Sequence, residues 1–204
     1  TTFGGGDGKV TPSAPSQLRI PTSLSLMADG RFVVVGATSS ANAETFSIGR
    51  FNADGSLDAT LGGSGIVVTD LVAGANDIAA AVLVQADGKI VVAGTTYNGA
   101  AGTMAVVRYN VDGSLDSGFG SAGKVTVNVV PGADSRVAGA VLQPDGKIVL
   151  VGYGHDGVTN PKIALVRLNA DGTADAAFGG GDGIVRTGFA LDYGSGNCVA
   201  LQPD

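Results

Sequence analysis

Several residue types are scarce in this chain, and each scarcity excludes a class of protein. Of its 204 residues only one is cysteine, so no disulfide framework can form within it. Glutamate occurs once, against seventeen aspartates, and 34 positions are glycine, which disfavours a helical protein. The longest apolar run is about seven residues, far below the roughly 20 of a membrane-spanning helix. Lysine and arginine total 12, and the net charge of -6 disfavours a nucleic-acid partner.

What remains is a composition typical of a folded chain, organised by an internal repeat. Hydrophobic residues make up 44% of the chain, which argues against disorder. A first marker, Ala/Pro-Asp-Gly-Lys/Arg, has its aspartate at three positions that are 58 residues apart: Asp29, Asp87 and Asp145. A second marker, Asn-x-Asp-Gly-Ser/Thr-x-Asp, begins at Asn52, Asn110 and Asn169. Two independent markers with one period establish a tandem repeat of about 58 residues.

Each repeat predicts four β-strands, which we call A to D. In the second repeat these strands are Ile78–Gln85, Lys89–Thr96, Thr103–Asn110 and Lys124–Asn128. Several of the strands are apolar on both faces, which indicates burial between two layers. The Asp-Gly turns predict left-handed glycines, as at Gly88, Gly113 and Gly146. No segment shows capped helical periodicity, so we predict no helix.

The predicted fold class is all-β, a β-propeller with four-stranded blades of about 58 residues. Three full blades are expected at about 23–70, 78–129 and 136–188, with partial strands at 8–11 and 197–202. A β-solenoid is the second architecture, although its coils are shorter, about 20–30 residues. Because three blades and two partial ones do not make a ring, we expect another copy, or more of a longer chain, to complete it.

The order of the markers resembles a known repeat. An Asp-Gly-Lys turn, an apolar run to Gly94, Val-Arg-Tyr-Asn, Asp-Gly-Ser-Leu-Asp, then Phe-Gly and Gly-Lys-Val are similar to the delta-60 repeat. The resemblance covers essentially the whole chain, although Leu61 and Ala174 replace its usual Phe and Leu. It implies a blade of a large bacterial secreted or surface protein, without known catalytic residues.

The Asn-x-Asp-Gly-x-x-Asp loops are the candidate metal sites, because such a pattern is part of a calcium-binding loop. The same residues also suit a hairpin whose aspartate accepts local backbone N–H groups. We favour the hairpin and expect no metal and no cofactor. The weak candidate ligands are the two aspartates of each loop: Asp54, Asp58, Asp112, Asp116, Asp171 and Asp175.

Arginines recur near the end of each C strand, at Arg50, Arg108 and Arg167. They could bind an anion around a ring, or pair with an aspartate of the following turn in each blade. We expect the second, since a device that supports every blade is needed in every blade. Each arginine should then lie within salt-bridge distance of an aspartate of its own repeat.

Catalytic candidates are few. His155 and Glu44 are the sole histidine and glutamate, and they fall in different repeats. Cys198 falls in a predicted inner strand, where we expect it to be buried. The glycine-rich segments at 4–8 and 179–183 lack the residues of a phosphate-binding loop.

The predicted function is that of a non-enzymatic, extracellular or cell-surface structural or interaction module. The A–B and C–D turns have nearly the same sequence in every repeat, whereas the B–C and D–A loops differ. Because variable loops on a rigid scaffold commonly carry the binding function, a protein or glycan ligand is expected there. Two alternatives stay open: a carbohydrate-active or ester-cleaving enzyme with its site at the propeller channel, and a calcium-dependent adhesive module.

Overall fold

A computed structural model describes residues 2–11, 18–40, 43–155, 161–187 and 194–202. Over these residues it contains three antiparallel sheets of four strands, each with the order A-B-C-D. Sheet 1 contains β1 (Ile20–Leu26), β2 (Phe32–Ser40), β3 (Ala43–Phe51) and β4 (Ile66–Thr69). Sheet 2 contains β5 (Asn76–Val84), β6 (Ile90–Tyr97), β7 (Gly102–Tyr109) and β8 (Lys124–Val127). Sheet 3 contains β9 (Asp134–Leu142), β10 (Ile148–His155), β11 (Lys162–Leu168) and β12 (Ile184–Thr187).

The connections of the sheets divide them into two edges. The A–B and C–D turns share one edge, the turn edge, and the B–C and D–A loops share the other, the loop edge. On the turn edge the predicted left-handed glycines are confirmed, with φ of +82° at Gly88 and Gly146 and +88° at Gly113. On the loop edge residues 41–42, 156–160 and 188–193 lie outside the described residues.

Each A strand carries one irregularity at the same place. The pairing of A with B slips beside Gly36, Gly94 and Gly152 in the three sheets. A Cβ atom on Gly94 would lie 2.2 Å from the carbonyl oxygen of Ile78 and 2.7 Å from Cζ of Phe46. The bulged A strand therefore presses its backbone against the B strand, and only glycine leaves the space.

The sheets stack face to face in chain order. Strand β5 packs against the A, B and C strands of sheet 1, and β9 packs in the same way on sheet 2. The first layer between sheets buries Phe46 and Ile48 against Val92 and Tyr109. The second layer buries Met104 and Val106 against residues of sheet 3 such as Leu150. Strands apolar on both faces follow from this arrangement, since sheet 2 is covered on both sides.

The predicted partial strands are not formed. Residues 8–11 and 197–202 form no β-ladder with any other strand of the described residues. Residues 2–11 instead begin with a short 3₁₀ turn, Phe3–Gly6, in which Gly4 and Gly5 have positive φ. Residues 194–202 lie on sheet 3, where Gly196 N–H donates to the carbonyl of Gly152. The described residues form no closed ring, and none of their helices is long and apolar enough to cross a membrane.

Candidate functional site: the repeated aspartate cluster

The turn edge of every sheet carries one aspartate that holds two cations. The Nε group of Arg50 donates to Oδ2 of Asp58 at 2.7 Å, and Nη1 of Arg31 donates to the same oxygen at 2.7 Å. Sheet 2 repeats this arrangement with Arg108 and Lys89 on Asp116, at 2.7 and 2.9 Å. Sheet 3 repeats it with Arg167 and Lys147 on Asp175, at 2.7 and 3.3 Å.

The second oxygen of each aspartate is used locally. Oδ1 of Asp58 accepts hydrogen bonds from the amide and the hydroxyl of Thr60. Oδ1 of Asp116 accepts the amide of Gly118, and Oδ1 of Asp175 accepts the amide of Ala177. The predicted pairing of each C-strand arginine with an aspartate of its own repeat is therefore confirmed, as is the expectation that these aspartates contact arginine and backbone groups.

These contacts control the charge of the aspartates. Burial raises the pKa of Asp58, but hydrogen bonds from Thr60, Arg31 and Arg50 outweigh it and hold the pKa well below its usual range. The hydrogen bond from Lys89 is the main cause that lowers the pKa of Asp116 to about 2. Each aspartate is therefore ionised, and its negative charge balances the positive charge of the arginine beside it. In sheet 1 this arginine, Arg50, is fully buried. A buried guanidinium requires such a partner.

The same arginines also join consecutive sheets. Nη1 of Arg50 donates to the carbonyl of Val111 at 2.6 Å, and Nη1 of Arg108 donates to the carbonyl of Ala170. Both acceptors precede the aspartate of the Asp-Gly turn in the next sheet. A backbone contact accompanies each: Gly62 N–H to Asp112 O and Gly120 N–H to Asp171 O, both at 2.8 Å. The cluster thus fixes one blade-like unit on the next.

Residues 2–11 make the backbone hydrogen bond of this contact with sheet 1, but not the arginine hydrogen bond. Gly4 N–H donates to the carbonyl of Asp54 at 3.0 Å, as Gly62 and Gly120 do in the later units. Phe3 stands where Leu61 and Phe119 stand, and its ring lies 6.2 Å from that of Phe32. These residues therefore occupy the position that the end of a preceding unit would take.

The basic residues of the A–B turn are what the sequence prediction missed. Arg31, Lys89 and Lys147 end the first repeated marker, which does not by itself indicate that they pair with the C–D turn. Their signal is the conserved spacing within the chain, since each lies 27 or 28 residues before its aspartate. Phe119 and Phe178, which follow the aspartate in repeats 2 and 3, also contact the cluster, since their ring centres lie 4.5 Å from the guanidinium carbons of Arg108 and Arg167.

The exposed aspartates of the calcium-like loops serve the turn itself. Oδ1 of Asp54 accepts the amide and hydroxyl of Ser56, and Asp112 does the same with Ser114. Asp171 repeats the contact with Thr173. The side-chain hydrogen bond from that Ser or Thr is the main cause that lowers the pKa of each aspartate. Among the described residues no group of three His, Cys, Asp or Glu side chains could hold a metal.

The remaining candidates are not brought together on one unit. Glu44 lies in β3 of sheet 1, whereas His155 ends β10 of sheet 3. Cys198 is exposed, so its predicted burial is wrong. The physical reason is that residues 197–202 form no inner strand, and no further sheet among the described residues packs over them.

Comparison with known proteins agrees with this repeated geometry. No curated protein matches the chain. One family model matches three times, at residues 28–61, 85–119 and 143–178, which together are just over half of the chain. Each match runs from the Asp-Gly turn between strands A and B to the Phe or Leu after the aspartate cluster. The chain belongs to the family described as a domain of unknown function (DUF5122) beta-propeller.

Proposed function

We propose that the chain is a non-enzymatic module of a secreted or cell-surface β-propeller, with a structural turn edge and a binding loop edge. The observation that carries the proposal is the aspartate cluster. Its three copies use the same residues in the same way, and two of them extend to the next sheet. The charged groups of the turn edge thereby support packing between units, whereas the loops of the opposite edge vary in sequence. The resemblance to the delta-60 repeat supports the extracellular location.

We further propose that more units of the same repeat complete the ring, from a second copy or from more of the same polypeptide. Sheet 1 supports this at one end. Its β1 exposes Leu24 and Leu26 by 60% and 70%, whereas the equivalent residues of sheet 2, Val82 and Val84, are buried and half-buried against sheet 1. The carbonyl of Ala53 precedes Asp54 in the C–D turn of sheet 1, the position of Val111 and Ala170 in the later sheets, and no arginine of the described residues donates to it. In the later sheets the donor to this carbonyl is the arginine on the C strand of the preceding sheet, so the fitting partner of sheet 1 is a further unit that supplies such a strand.

Sheet 3 supports the same proposal at the other end. The side chain of Arg50 is fully buried and that of Arg108 is 9% exposed, but that of Arg167 is 21% exposed. Arg167 keeps its own aspartate, yet the described chain offers it no Asp-Gly turn of a fourth sheet. The fitting partner is therefore another repeat unit, whose Asp-Gly turn presents a carbonyl to Arg167.

The test is self-association of Arg167→Gln and Lys147→Gln, measured by sedimentation velocity over a range of concentrations. Both variants remove one cation from Asp175, but only Arg167 is placed to reach a further unit. We expect wild type to associate, Arg167→Gln to weaken association by about tenfold or more, and Lys147→Gln to have a smaller effect. Equal effects of the two variants, or a monomeric wild type at every concentration, would count against unit-to-unit docking.

A further inference from the structure

The loop edge between sheets 2 and 3 holds an exposed arginine between two tyrosines. Arg136 lies on β9, and its side chain is 44% exposed. The carbon atom of its guanidinium lies 5.2 Å from the ring centre of Tyr97 and 5.7 Å from that of Tyr153. Two aromatic faces and a partly exposed cation thus come together from three different strands.

The contacts of this guanidinium orient it without using all its donors. Nε donates to Oδ2 of Asp134 at 2.9 Å, and Oδ1 of Asp134 accepts the amide of Gly102 at 2.7 Å. The two terminal amino groups of Arg136 make no hydrogen bond within the described residues. In Arg50, by contrast, both terminal amino groups bind protein oxygens. Arg136 is therefore held by its Nε side, with its terminal donors left for another acceptor.

Packing between units does not require this group. At the boundary between sheets 1 and 2, the residues one repeat earlier are Ser39, Ile78 and Thr95 in place of Tyr97, Arg136 and Tyr153. That boundary keeps the contact between the loop and the next A strand, since Asn76 Oδ1 accepts the amide of Glu44 at 2.9 Å. An uncharged residue thus suffices for the structural contact, and the arginine with its tyrosines is an addition specific to one boundary.

We propose that Tyr97, Arg136 and Tyr153 form a binding site for the carboxylate of an acidic sugar. This inference rests on the proposed function of the loop edge as the binding edge. A partly exposed guanidinium with two unused terminal amino groups matches a carboxylate in a bidentate arrangement. A group with two negative charges suits the site less well, because Asp134 lies beside the single arginine and the chain carries a net charge of -6.

The surroundings favour a ligand that carries hydroxyl groups. Burial is the main cause that raises the pKa of Tyr97 and of Tyr153, so both phenols stay neutral near pH 7. Gly102 lies against Tyr97, since a Cβ atom there would be 3.0 Å from its ring. The neutral phenol hydroxyl groups of the two tyrosines, beside one cation, suit a sugar with one carboxylate.

Titration with D-glucuronate, D-glucose and acetate, followed by NMR of the labelled chain, tests the proposal. We expect D-glucuronate to shift the signals of Tyr97, Arg136 and Tyr153 saturably. Glucose and acetate should bind at least about tenfold more weakly, since glucose lacks the carboxylate and acetate lacks the sugar ring. If acetate binds as tightly as glucuronate, the sugar assignment is wrong. If none of the three ligands gives saturable shifts at these residues, the site itself is wrong.

Variants then separate binding from folding. Arg136→Gln should abolish the glucuronate response. Arg136→Lys should lower the affinity by about tenfold, because lysine keeps the charge but lacks the two parallel N–H donors of the guanidinium. Arg19→Gln, at another exposed arginine, is the matched control and should leave binding unchanged. Thermal unfolding of each variant verifies its fold. Binding that survives in a folded Arg136→Gln variant would overturn the proposal. The sedimentation test of Arg167 fails or succeeds independently of this result.

Discussion

At the scale of single residues, the aspartate clusters combine three kinds of partner on one carboxylate. Asp58 has two arginines on one oxygen and the amide and hydroxyl of Thr60 on the other. Arg50, on its far side, reaches Val111, 61 residues away. Charges that are buried together in this way contribute mainly when both partners are present, because a lone buried ion is costly.

The first prediction follows for Asp58→Asn. The substitution keeps the shape of the side chain but leaves the buried guanidinium of Arg50 without its counter-ion. We expect the free energy of unfolding to fall by roughly 3 kcal/mol, measured by chemical denaturation. Asp54→Asn is the control, since Asp54 is exposed and its contacts are local, and it should leave the stability almost unchanged. Similar losses in both variants would contradict the special role of the cluster.

The second prediction concerns pH. The pKa of Asp116 is about 2 in the folded chain against an ordinary 3.8, so the unfolded chain takes up the proton more readily. The ion pairs of Asp116 therefore stabilise the fold above about pH 4, and this contribution is lost as the pH falls from about 4 to 2. Denaturation of wild type and Asp116→Asn across this range should show a difference in stability that shrinks toward pH 2. A difference that stays constant would argue against the lowered pKa.

At the scale of elements, the bulged A strand opposite a glycine is the main local device of the fold. It recurs beside Gly36, Gly94 and Gly152, where a Cβ atom would lie about 2 Å from a carbonyl oxygen of the A strand. The same strand supplies the layer that packs on the preceding sheet. A change at this glycine should therefore disturb both the sheet and the stacking of sheets.

The third prediction is that Gly94→Ala severely destabilises the chain, by at least about 3 kcal/mol or by loss of folded protein. The reason is steric, because the new methyl group would meet the Ile78 carbonyl and the ring of Phe46. Gly63→Ala provides the comparison: Gly63 has φ +76°, and a Cβ atom there would have nothing within 4 Å. It should cost only the backbone strain of about 1–2 kcal/mol. Thermal and chemical unfolding of the two variants measure the difference.

At the scale of the whole molecule, the two outer faces of the stack are less covered than the layers inside it. Phe3, Val10 and Leu18 border a groove of about 290 Å³ on the outer face of sheet 1, next to Phe32 and Phe51. On sheet 3, Val149 and Leu165 are half-buried, whereas the equivalent Val91 and Val106 of sheet 2 are fully buried. Apolar faces of this kind favour association, in agreement with the proposed docking of further units.

The fourth prediction is that stability does not depend on calcium. The loop aspartates already accept amide and hydroxyl hydrogen bonds, and the cluster aspartates hold two cationic side chains each. The Tm should thus be the same in EDTA and in millimolar calcium chloride. A rise of several degrees with calcium would favour the adhesive-module alternative. The Asp112→Asn variant would then test whether its loop is the site.

The sequence by itself determined the local elements of this protein. The repeat, its four strands and the left-handed glycines are visible in the chain, because turn geometry depends on a few neighbouring residues. The pairing of Arg50 with Asp58 was also predictable, since the tight Asp-Gly turn after strand C joins residues only eight positions apart. Identical local chemistry in three copies made these features stand out from the variable loops.

Only the tertiary structure decided which units touch and what those contacts use. The bond from Arg50 to Val111, the ion pair of Lys89 with Asp116 and the exposure of Cys198 depend on how sheets and segments pack. The group of Tyr97, Arg136 and Tyr153 likewise joins residues of two sheets. The contacts between sheets are not encoded by a local pattern, because they arise from the stacking of the sheets, which places side chains from distant parts of the chain side by side.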